Sequence, residues 1–238
     1  SSPYGSFSHS HGDQNAILLT VAGQPLLVKA GWYDWYGSPY WTDWYHQTKS
    51  QNAVTFDGGQ GQLVTGYREQ LQRNGKITSF SAQPTYDYVE GDATASYGGA
   101  LTNARRQLWY LRGENAVIVR DKLQAPAAHN YEFNLHAPVA IGVESPSSVK
   151  IAAGGQMVCV RSLGAGAAWE KRVGYAPKAG TFEDHGAFTL KAGAKAPAEF
   201  LVLLDVGCRR PAVKVVASGS GASAMRTVTV GSQYITLY

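Results

Sequence analysis

The chain has 238 residues, 44% hydrophobic and 16% charged, with a formal net charge of +4. That balance supports a sizeable folded core and excludes a disordered polymer. It also carries no apolar run near the roughly 18–20 residues of a spanning helix, and no helix-turn-helix or zinc-finger pattern, so neither a membrane nor nucleic acid is the expected partner.

In chain order, residues 14–21 (QNAILLTV) are apolar over the length of a strand. Gln24 follows the turn residue Gly23, and PLLVKAG supplies a second short run, so a β-hairpin is expected. Residues 32–48 (WYDWYGSPYWTDWYHQT) follow neither the helical nor the strand period. NAVTFDG at 52–58 is a strand ending in Asp-Gly. Turn chemistry then recurs as RNGK at 73–76, VEGD at 89–92 and RGEN at 112–115. RRQLWYL, RGEN and AVIVRD make a hairpin, and YEFNLHAPV at 131–139 alternates with period two. The remainder is Ala/Gly-rich, with strands expected at KIAAGG, QMVCVRSL, AFTLKAG, AEFLVLLDV, AVKVVAS, AMRTVTVG and QYITLY. Short strands at fairly regular spacing predict an all-β antiparallel β-sandwich of large stacked sheets. We read residues 1–238 as a single domain, with at most a weak internal boundary near 140. Cys159 and Cys208 are too few for a thiolate metal cage, and a disulfide and two buried thiols both stay open.

Three features could carry chemistry. The first is SHSHGD at 8–13, where His9, His11 and Asp13 share parity and leave one face if the segment is extended. Such a group can bind a metal, move protons or fix a neighbouring loop. The second is the crowd of Trp32, Tyr33, Trp35, Tyr36, Tyr40, Trp41, Trp44 and Tyr45, which holds four of the six tryptophans. Such rings stack on sugar faces while their polar edges reach hydroxyls, or they simply cover the end of a sandwich. The third is cationic. Lys29, His46, Lys49, Arg68 and Arg73 flank the aromatic segment, and Arg105, Arg106, Arg112 and Arg120 sit on the later hairpin. Some could pair with the carboxylates of an acidic ligand, although the default for each is a solvated charge. His129 and His136 are weaker candidates, and Glu183, Asp184 and His185 in FEDHG are expected in a turn. No nucleophile elbow, P-loop or dinucleotide fingerprint is present.

SSPYGSFSHSHGDQNAILL, then GQPLLVKAGWYDWYGSP, then HQTKSQNAVTFDGGQGQ resembles the C-terminal half of heparinase II/III-type polysaccharide lyases. Within that group the likeness is greatest to the exo-acting oligoalginate lyases. The resemblance is close over residues 1 to about 62, and YEFNLHAP is similar to a later family strand. It implies an N-terminal α/α-toroid that this chain lacks, β-elimination on uronate-containing glycans, and a periplasmic or secreted setting. Alginate oligosaccharide is the favoured substrate, ahead of heparin-like or other glycuronans. His9 matches the histidine that the sandwich contributes to catalysis. Tyr4, His11, Asp13, Trp32, Tyr33, Tyr36, Lys49 and Arg68 become the expected substrate contacts. Zinc-binding members use the second histidine of the motif, an aspartate after the hairpin and a later histidine. Here Lys29 and Gln51 stand at the last two positions, so neither zinc nor another cofactor is expected. The expected partners are an acidic oligo- or polysaccharide and the toroid of the same protein, without which the chain should be nearly inactive. A non-catalytic carbohydrate-binding or scaffolding module is the alternative.

Overall fold

A computed structural model of the chain describes residues 10–31, 34, 35, 37–64, 73–175, 183–218 and 225–238. Its strands are β1 (Leu19–Val21), β2 (Gln24–Leu27), β3 (Val54–Phe56), β4 (Lys76–Ala82), β5 (Tyr86–Asp92) and β6 (Asn103–Leu111). There follow β7 (Ala116–Gln124), β8 (His129–Ala137), β9 (Gly142–Ser145), β10 (Ser148–Ala153), β11 (Gln156–Ser162) and β12 (Ala168–Arg172). The last are β13 (Asp184–Ala192), β14 (Ala198–Val206), β15 (Val213–Ser218), β16 (Met225–Val230) and β17 (Gln233–Leu237).

The largest sheet has eight strands in the order β4-β5-β6-β7-β14-β11-β10-β9, so it takes strands from both sides of residue 140. A four-stranded sheet, β12-β13-β8-β3, packs on one face, and a three-stranded sheet, β15-β16-β17, on the other. The central strands therefore bury both faces, and their sequences say why. In β14, Phe200, Val202 and Leu204 join the core under β8, while Leu201 and Leu203 join Val228, Val230 and Ile235 on the far side. A strand buried on both faces reads as a continuous apolar run, as AEFLVLLDV does. Phe133 of β8 meets Phe200 at a ring separation of 5.8 Å, which joins the two large sheets directly.

The expected hairpins are present. The first is shorter than its apolar sequence suggests, turning at Ala22 and Gly23, both with positive φ. RGEN is the turn between β6 and β7. Two expectations are corrected. VEGD lies inside β5, because Asp92 and Gly91 pair with Arg105 and Arg106 of β6 and the Arg105 side chain spans Glu90 and Asp92. FEDHG is not a turn from Asp184 onward. Pairing of β13 with β8 along nine residues overrides its local turn chemistry. Finally, the aromatic segment contains a short π-helix at Trp41–Tyr45. Ser38 starts it, accepting the Trp41 N–H on Oγ at 3.0 Å and the Thr42 N–H on its carbonyl, with Pro39 next in the chain.

The arginines expected on a solvated face include two that hold the fold together. Arg106 is 2% exposed and makes a bidentate pair with Asp121 across β6 and β7 at 2.7 and 2.8 Å. Its remaining donor, Nη1, reaches the Asn15 and Asn52 carbonyls, each at 2.8 Å. Arg120 pairs with Glu199 of β14 at 2.7 Å. Cys159 and Cys208 form a disulfide, linking β11 to the turn after β14.

Candidate active-site cleft

Tyr4, His9, Trp32, Tyr33, Tyr36 and Arg68 lie outside the described residues. His11, Asp13 and Lys49 do not, and the first two meet at one cluster. The segment that bears them is not a strand. It is held by the Gly12 N–H on the His46 carbonyl at 2.8 Å and by reciprocal bonds of the Gln14 backbone with the Gln62 side chain at 2.8 and 2.9 Å. Gly12 runs so close to Thr48 that a Cβ would sit 2.5 Å from the threonine Oγ1, which explains the glycine in SHSHGD.

Lys29 stands at the centre of this cluster. Its ammonium lies 2.7 Å from His11 Nδ1 and 3.6 Å above the Tyr45 ring. It also lies 3.4 Å from His11 Nε2, and since an ammonium only donates, the imidazole is the acceptor of this pair. The Tyr45 carbonyl, 3.1 Å from the same Nδ1, is supplied instead by Ser50 Oγ at 3.0 Å and the Gln51 amide at 3.4 Å. Burial brings the Lys29 pKa down to about 8, opposed by the Asp13 charge. Burial likewise raises the Asp13 carboxyl, against the pull of Lys29.

This is the place where zinc-binding members of the family are expected to hold their ion, and the donors here do not fit it. One imidazole faces an ammonium, and Gln51 brings only a neutral amide, whose nitrogen donates to the Tyr45 carbonyl and Ser50 Oγ, where zinc-binding members have an imidazole. Among the described residues no three His, Cys, Asp or Glu side chains gather as a metal cage.

The π-helix links this cluster to a cleft of about 400 Å³. Tyr45 faces His11, while its neighbour Trp44 lines the cleft. Lys49 lines it too, its ammonium 6.0 Å from the Trp44 ring centre and its stem against Gly59. Gly59 has a φ of +102°, and a Cβ there would lie 3.3 Å from the Lys49 stem, so glycine suits on both counts.

The inner wall comes from β8, β12 and β13. Alternation along β8 sends Tyr131, Phe133 and Leu135 to the core and Glu132, Asn134 and His136 to the other face. Glu132 accepts from Thr55 Oγ1, from the Gly58 N–H at 2.7 Å and from Arg172 at 3.2 Å. Asn134 donates to the Ala53 carbonyl and Thr55 Oγ1, and its carbonyl oxygen lies 3.0 Å from His185 Nε2. His185 stacks on His136, its partner across the strands, with ring centres 3.9 Å apart, and both rings meet Trp44 edge-on. Burial drives the pKa of His185 down to about 3 and that of His136 well below its usual value, so both are neutral.

The rest of the aromatic segment and its neighbours are placed as follows. Tyr40, Trp41 and Trp44 are buried and act as packing, and Trp35 stands exposed. His46 stacks on Trp41 within the helical turn. Gln51 and Asn52 are buried, with Asn52 donating to the Ile17 and Val28 carbonyls and accepting from the His136 N–H. Asn52 is thus a structural clamp. Arg172 was not among the sequence-based candidates, and His185 was only a weaker one. In YEFNLHA the sequence reading singled out only His136, and the period-two alternation of that run puts Glu132 and Asn134 on the same face.

Stacked antiparallel sheets with an irregular aromatic segment beside a polar cleft define an antiparallel β-sandwich. The chain belongs to the heparinase II/III-like C-terminal family, whose model matches residues 1–225. No curated protein sequence matches it. Among solved structures it is similar to the heparan sulfate lyase HepC from Pedobacter heparinus, with 15% identity and a TM-score of 0.73 over 96% of this chain and 37% of that one. It is also similar to a heparinase III with methylated lysines (14%, TM-score 0.76, 97% of this chain and 36% of that one). A further heparinase III gives 15% and a TM-score of 0.74, covering 97% and 36%. At these identities the likeness shows the fold. The chain spans little more than a third of the length of these structures.

Proposed function

We propose that this chain is the sandwich portion of a polysaccharide lyase that cleaves uronate-containing glycans by β-elimination. The carrying observation is the family match over residues 1–225. The cleft supports it, since the Lys49 ammonium beside Trp44 suits an anionic sugar. In such a reaction the uronate carboxylate is neutralised, a base takes the C5 proton, and an acid protonates the leaving glycosidic oxygen. His9 is assigned to proton transfer or carboxylate neutralisation, with His11 and Asp13 shaping its surroundings. Tyr4, Trp32, Tyr33 and Tyr36 are assigned to sugar contacts, and Lys49 and Arg68 to carboxylates. An α/α-toroid of the same protein supplies the rest of the site.

Alginate oligosaccharide is the proposed substrate on the likeness of the SHSHGD and HQTKSQN segments, with heparin-like glycans next, as the names of the solved relatives suggest. The Cys159–Cys208 disulfide suits a periplasmic or secreted setting. Lys29 supplies a fixed positive charge beside His11, and the site works without zinc.

The test is to give the full-length protein alginate, heparan and other glycuronans and measure unsaturated uronate ends. His9→Ala should lower turnover at least a hundredfold while changing oligosaccharide affinity only a few-fold. Affinity retained without any cleavage by the native protein would favour a carbohydrate-binding module.

A further inference from the structure

Lys29 is fixed by its chain neighbours on both sides. The Val28 N–H donates to the His136 carbonyl at 3.0 Å, and the Ala30 N–H donates to the Ser50 carbonyl at 2.8 Å. Asn52 adds a bond to the Val28 carbonyl at 2.9 Å. The facing residues 10–14 form no strand, so no ladder fixes them. Their backbone is tied by the Gly12 N–H on the His46 carbonyl and by the Gln62 side chain on Gln14. The Lys29 ammonium joins the two sides, 2.7 Å from His11 Nδ1 and 3.6 Å over the ring of Tyr45, the residue before His46.

Among the described residues this ammonium forms no ion pair, and the Asp13 charge acts on it through space. Taking an ammonium partly out of water costs free energy, and a lysine with no further role turns its head to solvent. Here the cost is offset by an imidazole acceptor and a π face, drawn from two segments distant in sequence from Lys29. A second cation beside it would be repelled, so the ammonium both takes the place of an ion and excludes one. We propose that Lys29 is a positioning residue acting through His11, its ammonium a built-in cation that locks residues 10–14 onto the helical turn bearing Tyr45 and His46. One side chain thus does the cross-linking that a metal does through its ligands. The proposal deepens the lyase reading and rests on it for the turnover readout alone.

The experiment uses the full-length protein and reads three quantities: amide hydrogen exchange at Gly12, exchange at Val202 in the core strand β14, and turnover on a glycuronan. Lys29→Met keeps the stem and removes the charge. It should quicken Gly12 exchange at least about tenfold and Val202 exchange no more than about threefold, which separates a local loosening from a loss of fold. It should lower kcat about tenfold with KM changed less than about twofold. His11→Leu breaks the same link from its other end, so the double variant should lose no more than the worse single one. Propylammonium added to Lys29→Ala should slow Gly12 exchange again, and 1-propanol, of similar shape without the charge, should not. Unchanged Gly12 exchange in Lys29→Met, equal changes at Gly12 and Val202, additive losses in the double variant, or equal rescue by 1-propanol overturns the proposal. Each of those results leaves the lyase reading standing if the native protein cleaves a glycuronan. Absence of cleavage by the native protein overturns the lyase reading, and Gly12 exchange then decides the role of Lys29 by itself.

Discussion

The Lys29 ammonium and His11 Nδ1 lie 2.7 Å apart, in the place where relatives are expected to hold a zinc ion. An ammonium donates to the imidazole and repels a dication, and Gln51 offers only an amide already bonded to its neighbours. Elemental analysis of the dialysed protein should therefore find no stoichiometric zinc. Lys29→Asp combined with Gln51→His restores an oxygen and a second imidazole, and this variant should take up about one equivalent. One equivalent of zinc in the native protein would overturn the reading.

Arg106 ties together the two segments that carry the site. Its pair with Asp121 is buried, and its spare donor holds the Asn15 and Asn52 carbonyls, just after SHSHGD and just after Lys49. Arg106→Met leaves a buried carboxylate and two carbonyls without their donor, and should cost about 3–5 kcal/mol in denaturant unfolding. Arg106→Met with Asp121→Leu should cost clearly less than the two single changes summed, since no charge is then stranded. Additive losses would show that the pair does not act as a unit.

Much of this architecture was readable beforehand, because strand period and turn chemistry are local. RGEN and its flanking runs form the β6–β7 hairpin, and AEFLVLLDV forms the doubly buried β14. VEGD and FEDHG misled, because their sequence offers turns while pairing with β6 and β8 supplies the larger stabilisation. The site was less legible for the same reason. Arg172, His185 and Lys49 meet only after β12, β13 and the segment before β3 are folded around β8. The role of Arg106 was hidden too, because nothing in RRQLWYL distinguishes the exposed Arg105 from its buried neighbour except strand parity.

The Cys159–Cys208 disulfide closes a loop across a sequence separation of 49, from β11 to the end of β14. Restricting the unfolded chain over that span should contribute roughly 2–4 kcal/mol. Cys159→Ala with Cys208→Ala should lower the urea midpoint accordingly, with the unfolding slope changed little beyond the effect of the lost cross-link. A midpoint unchanged under oxidising conditions would show that the bond adds nothing to equilibrium stability.

The stacked pair His136 and His185 should make the fold acid-sensitive. Burial holds both rings neutral, His185 with a pKa of about 3 and His136 well below the usual value near 6.5. An unfolded chain binds protons at these groups from about pH 6.5 downward, whereas the folded chain resists until about pH 3. Stability is therefore fully present above about pH 6.5 and is lost as the pH falls through that window, by several kcal/mol in total. Glu183 and Asp13 act in the opposite sense, because burial raises their pKa values and the folded state accepts those protons more readily. Urea unfolding at pH 7 and pH 4.5 measures the balance. The native chain should lose stability at the lower pH, and His185→Gln, which keeps a donor for Asn134, should reduce that loss by about half. An equal loss in the variant would assign the acid sensitivity to other groups.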